Sequence, residues 1–145
     1  MKIEIQKLRD GAVIPTRGSE KAAGYDLYAC LETPTLEIAP HATAKVGTGL
    51  AIAVPDGYFG AIFARSGLAA KQGLRPANCV GVADSDYRGE YMVALHNDTD
   101  TEREIANGER IAQLVILPFL PAEFCEVDQL DETLRGDGGF GSTGR

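Results

Sequence analysis

The feature that most constrains this chain is a succession of short apolar or alternating runs, each closed by a turn signal. They fall at residues 2–6, where Ile3 and Ile5 share a face, and at 35–39, 44–54, 58–64, 80–83, 90–96 and 110–119. Val, Ile, Ala, Tyr and Phe dominate them, and period-two alternation suits strands of a sheet with one buried face. Pro34, Pro40, Pro55-Asp56-Gly57, Arg88-Gly89, Asn97-Asp98 and Asn107-Gly108 supply the breaks. Many short strands at this spacing predict an all-β protein, a sandwich or a barrel. One short helix is expected over Gly67–Gln72, with Ser66 as its N-cap and Gly73 as its stop.

A chain of 145 residues suits one domain with a modest core. With 44% hydrophobic and 24% charged residues it has the make-up of a soluble globular protein. No apolar run approaches ~20 residues, so no membrane span is expected. The opening MKIEIQKLRDG lacks the apolar stretch of a secretory signal. The chain is therefore expected to begin there and to be cytoplasmic. Cys30, Cys79 and Cys125 are too few for a disulfide framework and form no zinc spacing with His41 or His96. They are expected to be free and mostly buried. A net charge of -7 argues against a nucleic-acid polymer as partner, since phosphate backbones are held by basic stripes. It leaves room for a single nucleotide, because a few converging arginines can hold a triphosphate whatever the global charge.

From Gly136 to Arg145, five of ten residues are glycine and Phe140 is the one large apolar side chain. Such a segment cannot bury enough surface to fold on itself. The expected division is a β domain over 1–134 and a flexible arm over 135–145. Arg135, Phe140, Ser142 and Thr143 give that arm a cation, a ring and two hydroxyls, which suits wrapping a nucleotide. Gly136, Gly138 and Gly141 satisfy G-x-G-x-x-G, but no strand precedes them and no helix can follow. A phosphate-binding P-loop fails as well, since Ser142 stands where its lysine belongs.

Four internal segments carry chemistry. RSGLA, residues 65–69, sets an arginine and a hydroxyl before a helix start, where exposed amides favour phosphate. NCVGVADSDYRGEY, residues 78–91, is expected to form a β-hairpin with Asp84 at the end of its first strand. Asp84 could orient and deprotonate a water, although an aspartate in such a place is more often turn chemistry. AGYDL, residues 23–27, sets Asp26 between bulky apolar residues, and GERIAQLVI, residues 108–116, is a strand carrying Arg110 and Gln113. A cap or salt bridge is the plain reading of Asp26, and solvent exposure that of Gln113.

In order and spacing, AGYDL, RSGLA, GVADSDYRGE, GERIAQL and RGDGGFGSTG resemble the five ordered motifs of the trimeric dUTPase family, from about residue 12 to the C-terminus. The departures are Ala83 for a larger aliphatic residue, Ala64 for proline, Gln72 for histidine and Glu109 for aspartate. The resemblance implies a distorted β-barrel or jelly roll of the β-clip type. It implies a homotrimer whose active sites are shared between subunits. The implied reaction is Mg2+-assisted hydrolysis of dUTP to dUMP and pyrophosphate by water attack on the α-phosphate. That reaction keeps uracil out of DNA and supplies dUMP for thymidylate synthesis.

The resemblance also implies roles. Asp84 is the general base. Tyr87 packs under the deoxyribose, and Asn78 with Gly81 and Val82 reads the uracil edge. Arg65, Ser66 and Gly67 contact phosphates, with Gln113 near the α-phosphate. No side chain binds the metal directly; Asp26 bonds the waters around Mg2+. From the arm of a neighbouring subunit, Phe140 stacks on uracil, Arg135 reaches the terminal phosphate, and Gly141, Ser142 and Thr143 close over the phosphates. Two rivals have different signatures. A dCTP deaminase would need a catalytic glutamate and another hairpin, and a trimeric signalling module would bind nucleotide without turnover.

Overall fold

A computed structural model describes residues 1–139. Its strands are β1 (Glu4–Lys7), β2 (Tyr25–Tyr28), β3 (Thr35–Ile38), β4 (Thr43–Gly47), β5 (Leu50–Ala53), β6 (Tyr58–Phe63), β7 (Leu74–Pro76), β8 (Val80–Ala83), β9 (Met92–Asn97), β10 (Arg103–Ala106) and β11 (Arg110–Pro118), with α1 (Ser66–Gln72) between β6 and β7. They form four antiparallel sheets, ordered β2-β11-β6-β8, β4-β9-β7, β1-β5 and β10-β3. The fold is all-β and jelly-roll-like, and its sheets enclose a single cluster that includes Leu27, Ile38, Leu50, Leu95, Ile105 and Ile111.

Local chemistry explains where the strands stop. The expected run 44–54 divides at Thr48-Gly49. Gly49 has φ +68, and a methyl there would stand 2.9 Å from Ala12 Cβ and 3.0 Å from the Cys30 sulfur. The chain turns at Gly49 and changes sheet. β9 alternates as expected, with Val93, Leu95 and Asn97 inward. The buried Asn97 is fully satisfied: its amide donates to the Ile38, Ala39 and Thr101 carbonyls, and its oxygen accepts from the Thr99 amide and hydroxyl. The turn expected at Asn97-Asp98 is thus fixed by a buried amide.

Four expectations need correction. First, 80–83 and 90–96 do not pair as a hairpin: β8 lies on β6, whereas β9 lies between β4 and β7. The Tyr91 amide donates to the Leu50 carbonyl and the Thr48 amide to the Tyr91 carbonyl, so the return strand is captured by another sheet. Residues 84–91 therefore bridge two sheets. Second, Ser66 is the first residue of α1, and Arg65, with φ -85 and ψ 130, is its N-cap without a side-chain capping bond. The stop is as expected, at left-handed Gly73. Third, only Cys30 is buried; Cys79 and Cys125 are exposed, in the turn before β8 and in the stretch after β11, though all three thiols are free. Fourth, β2, β7 and β10 carry no readable run. β7 has three residues, and in β10 only Ile105 is buried.

Candidate active site

The site-bearing segments fall into two clusters on the four-stranded sheet. The first lies where β8 ends. There a crevice of about 360 Å³ is lined by Asn78, Gly81, Val82, Asp84, Tyr87 and Tyr91, and by Lys45, Met92 and Ala94 from the facing sheet. Its volume is at the small end of ligand pockets, the size of a nucleoside. Gly81 is needed for this shape. A methyl there would stand 3.1 Å from Ile62 Cβ and 3.6 Å from the Asn78 amide nitrogen. Asp84 is exposed at the mouth, free to meet a solvent molecule.

The bridge 84–91 is braced from within. The Tyr87 amide donates to the Asp84 carbonyl at 3.1 Å, and its hydroxyl donates to the Glu90 carbonyl at 2.9 Å. Any side chain at Gly89 would overlap the Tyr87 ring. Glu90 anchors the bridge to the rest of the chain. Its carboxylate accepts from Arg9 at 2.6 Å and from the Gly49 amide at 2.8 Å. The Arg9 guanidinium is held above its ordinary value, chiefly by the Cys30 side chain, with burial opposing and Glu90 adding.

The second cluster joins β2, β11 and the start of α1. Asp26 Oδ1 accepts from Arg65 Nε at 2.8 Å and Oδ2 from Arg110 Nη1 at 3.4 Å. Arg65 also donates to the Arg110 carbonyl at 3.2 Å. The register sets Gln113 opposite both Asp26 and Phe63. Its amide donates to the Ala64 carbonyl at 2.8 Å, fixing the chain as it enters α1. Gln113 is therefore half-buried and braced rather than solvent-facing. Gly24 leaves room for it, since a methyl there would stand 2.5 Å from its side-chain oxygen. Ser66 and Gly67 are exposed beside this cluster.

Asn78, Gly81, Val82, Asp84 and Tyr87 thus converge on one crevice, and Asp26, Arg65 and Gln113 converge on another surface. Among the described residues no hydrogen bond or ion pair joins the two sets. β8 and β2 are opposite edges of the sheet, roughly 14 Å apart at ordinary strand spacing. Arg135 reaches neither; it is exposed and donates to the Gly138 carbonyl at 2.7 Å. Phe140, Gly141, Ser142 and Thr143 lie outside the described residues. Sequence reasoning gave no role to Arg110, Arg9 or Glu90. Glu90 and Arg110 carried a signal, as members of GVADSDYRGE and GERIAQL; Arg9 carried none.

A water-facing carboxylate, a nucleoside-sized crevice, and arginines beside exposed amides on a jelly-roll scaffold are the parts of a nucleotide hydrolase. The comparisons give the family. The family model described as dUTPase matches residues 10–144. A deoxyuridine 5'-triphosphate nucleotidohydrolase of Wolinella succinogenes is 52% identical over 100% of this chain and 95% of its own length. One from Arabidopsis thaliana is 47% identical over 97% of this chain and 82% of its own. The dUTPase of Staphylococcus bacteriophage 80alpha, solved with dUPNHPP, superposes with a TM-score of 0.89 at 28% identity, covering 99% of each chain. This chain belongs to the dUTPase family.

Proposed function

We propose that this chain hydrolyses dUTP to dUMP and pyrophosphate in a homotrimer with shared active sites. The observation that carries the reading is the convergence of Asn78, Gly81, Val82, Asp84 and Tyr87 on one crevice. The uracil edge meets Asn78 and the backbone of Gly81 and Val82, while Tyr87 lies against the deoxyribose and leaves no room for a 2'-hydroxyl. Asp84 accepts a proton from a water as its oxygen bonds to the α-phosphorus. The bond from that phosphorus to the oxygen bridging the β-phosphate breaks, and pyrophosphate leaves with the electron pair. Arg65 with the Ser66 and Gly67 amides neutralises the phosphate oxygens, and Gln113 lies near the α-phosphate.

Mg2+ belongs to this proposal. Among the described residues no three His, Cys, Asp or Glu side chains converge on a common point. That fits an ion carried by phosphate oxygens and water, with Asp26 beside Arg65 as the carboxylate that bonds those waters. When bound, the ion supplies charge neutralisation on the triphosphate.

The shared site is supported by the separation of the two clusters within one chain. It is also supported by the stretch after β11, where Leu120 is 92% exposed, Phe124 96% and Leu130 79%. Large apolar side chains this exposed fit burial against another copy. Residues 135–145 then act as an arm: Arg135 reaches the terminal phosphate, Phe140 stacks on uracil, and Gly141, Ser142 and Thr143 meet phosphate. Turnover by this set serves to keep uracil out of DNA and to supply dUMP for thymidylate synthesis. A cytoplasmic location is part of the same reading, supported by three free thiols that suit a reducing compartment. Among the described residues no helix is long and apolar enough to cross a membrane.

The test is pyrophosphate release from dUTP, dTTP, dCTP and UTP. A site whose buried polar groups are unpaired by the wrong base or sugar should favour dUTP by about 10,000-fold. Comparable turnover of dCTP or UTP contradicts the assignment.

A further inference from the structure

The two sides of the crevice are held by different parts of the chain. Gly81 and Val82, on the side read as facing the base, belong to β8 and are fixed by its ladder on β6. Tyr87, on the side read as facing the sugar, stands in the bridge 84–91. Its hydroxyl donates to the Glu90 carbonyl, and its ring crosses Gly89 and lies 6.0 Å from the ring of Tyr91. Among the described residues, the hydrogen bonds of 85–89 stay within the bridge; Arg88, for example, donates to the Ser85 and Tyr87 carbonyls. Among the same residues, Glu90 is the one side chain of 84–90 that bonds outside it.

That attachment is a fork. Arg9 Nη1 donates to one Glu90 carboxylate oxygen at 3.1 Å and Nη2 to the other at 2.6 Å, while Nη2 also donates to the Cys30 carbonyl at 3.0 Å. The Gly49 amide donates to Glu90 Oε1 at 2.8 Å, and the Leu8 amide donates back to the Gly49 carbonyl at 2.7 Å. The Arg9 and Glu90 side chains are 36% and 20% exposed, and paired N–H groups on both carboxylate oxygens leave them little freedom to rotate. Gly47 makes the room. A methyl there would overlap the Glu90 carboxylate and stand 2.7 Å from Arg9 Nη2. The next residue, Tyr91, is fixed independently by backbone bonds to Leu50 and Thr48. Loss of the fork would therefore free the bridge and leave the sheets in place.

We propose that Arg9 and Glu90 are positioning residues for sugar selection: their pair fixes the Glu90 main chain, whose carbonyl holds the Tyr87 hydroxyl and so keeps the ring where a 2'-hydroxyl would need to be. Glu90 works from both ends, with its carboxylate on the body of the chain and its carbonyl on the tyrosine. Base selection does not depend on the pair, because β8 has its own support on β6. The inference rests on the reading of Tyr87 as the residue that bars a 2'-hydroxyl.

The test is kcat/KM for dUTP, UTP and dCTP in full-length Glu90→Ala, Gly47→Ala and Tyr87→Ala. Glu90→Ala should raise the UTP-to-dUTP ratio about tenfold, because a loosened ring no longer excludes the extra hydroxyl. The dCTP-to-dUTP ratio should stay within about twofold of the parent, a split that a general loosening of the fold would not give. Gly47→Ala should do the same with both charges retained, since its methyl displaces the pair, and it decides the matter if Glu90→Ala is too unstable to assay. In a Tyr87→Ala background, Glu90→Ala should change the UTP-to-dUTP ratio by less than about twofold, since residues acting through one another are not additive. An unchanged UTP-to-dUTP ratio, an equal rise for dCTP, or the same rise in the Tyr87→Ala background each overturns the inference. If Tyr87→Ala itself rejects UTP as firmly as the parent, the reading of Tyr87 fails first and this inference with it.

Discussion

The body up to Pro118 and the stretch that follows use similar apolar residues to opposite ends. In the body, Leu27, Leu50, Leu95 and Ile105 are each 0% exposed, held in strands that satisfy their own backbone. Beyond it, residues 119–139 form neither strand nor helix, and Leu120, Phe124, Leu130 and Leu134 stand in solvent within this chain. The body offsets its ordering entropy internally. The later segment cannot do so alone, and its apolar side chains have value only against something else. Substitution in the body should therefore cost stability or chemistry, and loss of the arm should cost chemistry alone.

The largest expected effect is at Asp84. Asp84→Asn should still bind a dUTP analogue but lose about 100- to 10,000-fold in kcat, because an amide can hold a water yet not take its proton. Near-parent turnover in that variant, with Asp86→Asn inactive, would move the base to the other carboxylate. Next comes the contrast between body and arm. Leu95→Ala should cost about 2–5 kcal/mol of unfolding free energy by opening a cavity in the core. Deleting residues 135–145 should leave the unfolding midpoint unchanged and lower kcat by about 100-fold or more. A truncated protein that is fully active breaks the comparison. The smallest effect is at Phe140, where alanine should weaken analogue binding by roughly 1–3 kcal/mol, the scale of an aromatic stack on a base, as titration calorimetry would read it.

What was legible in the sequence follows from which signals are local. Alternation in β9 and the apolar run of β11 marked both strands, and Gly73 ended α1 where expected. β7 and β10 were invisible because three residues, or one buried isoleucine, make no pattern. The hairpin expected over 80–96 failed for a related reason. Alternation tells which face a strand buries but not which strand it joins, and the bonds linking Tyr91 to Leu50 and Thr48 span more than forty residues. The site followed the same rule. Motif order named Asp26, Arg65 and Gln113 far apart in the chain, and β2, β11 and the start of α1 bring them to one surface. The brace of Arg9 on Glu90 joins residues 81 apart, and no spacing rule reaches that far.

The most direct test of the division between body and arm is a mixed assembly. On the proposed roles, Asp84→Asn subunits keep the arm and lose the base, and subunits lacking 135–145 keep the base and lose the arm. Each alone should be nearly inactive. After subunit exchange, verified by mass, some assemblies would pair a sound Asp84 of one chain with a sound arm of another. The account predicts that dUTP turnover partly returns in that mixture. Verified mixed assemblies no more active than their parents would contradict it, and would mean that each chain closes its own site.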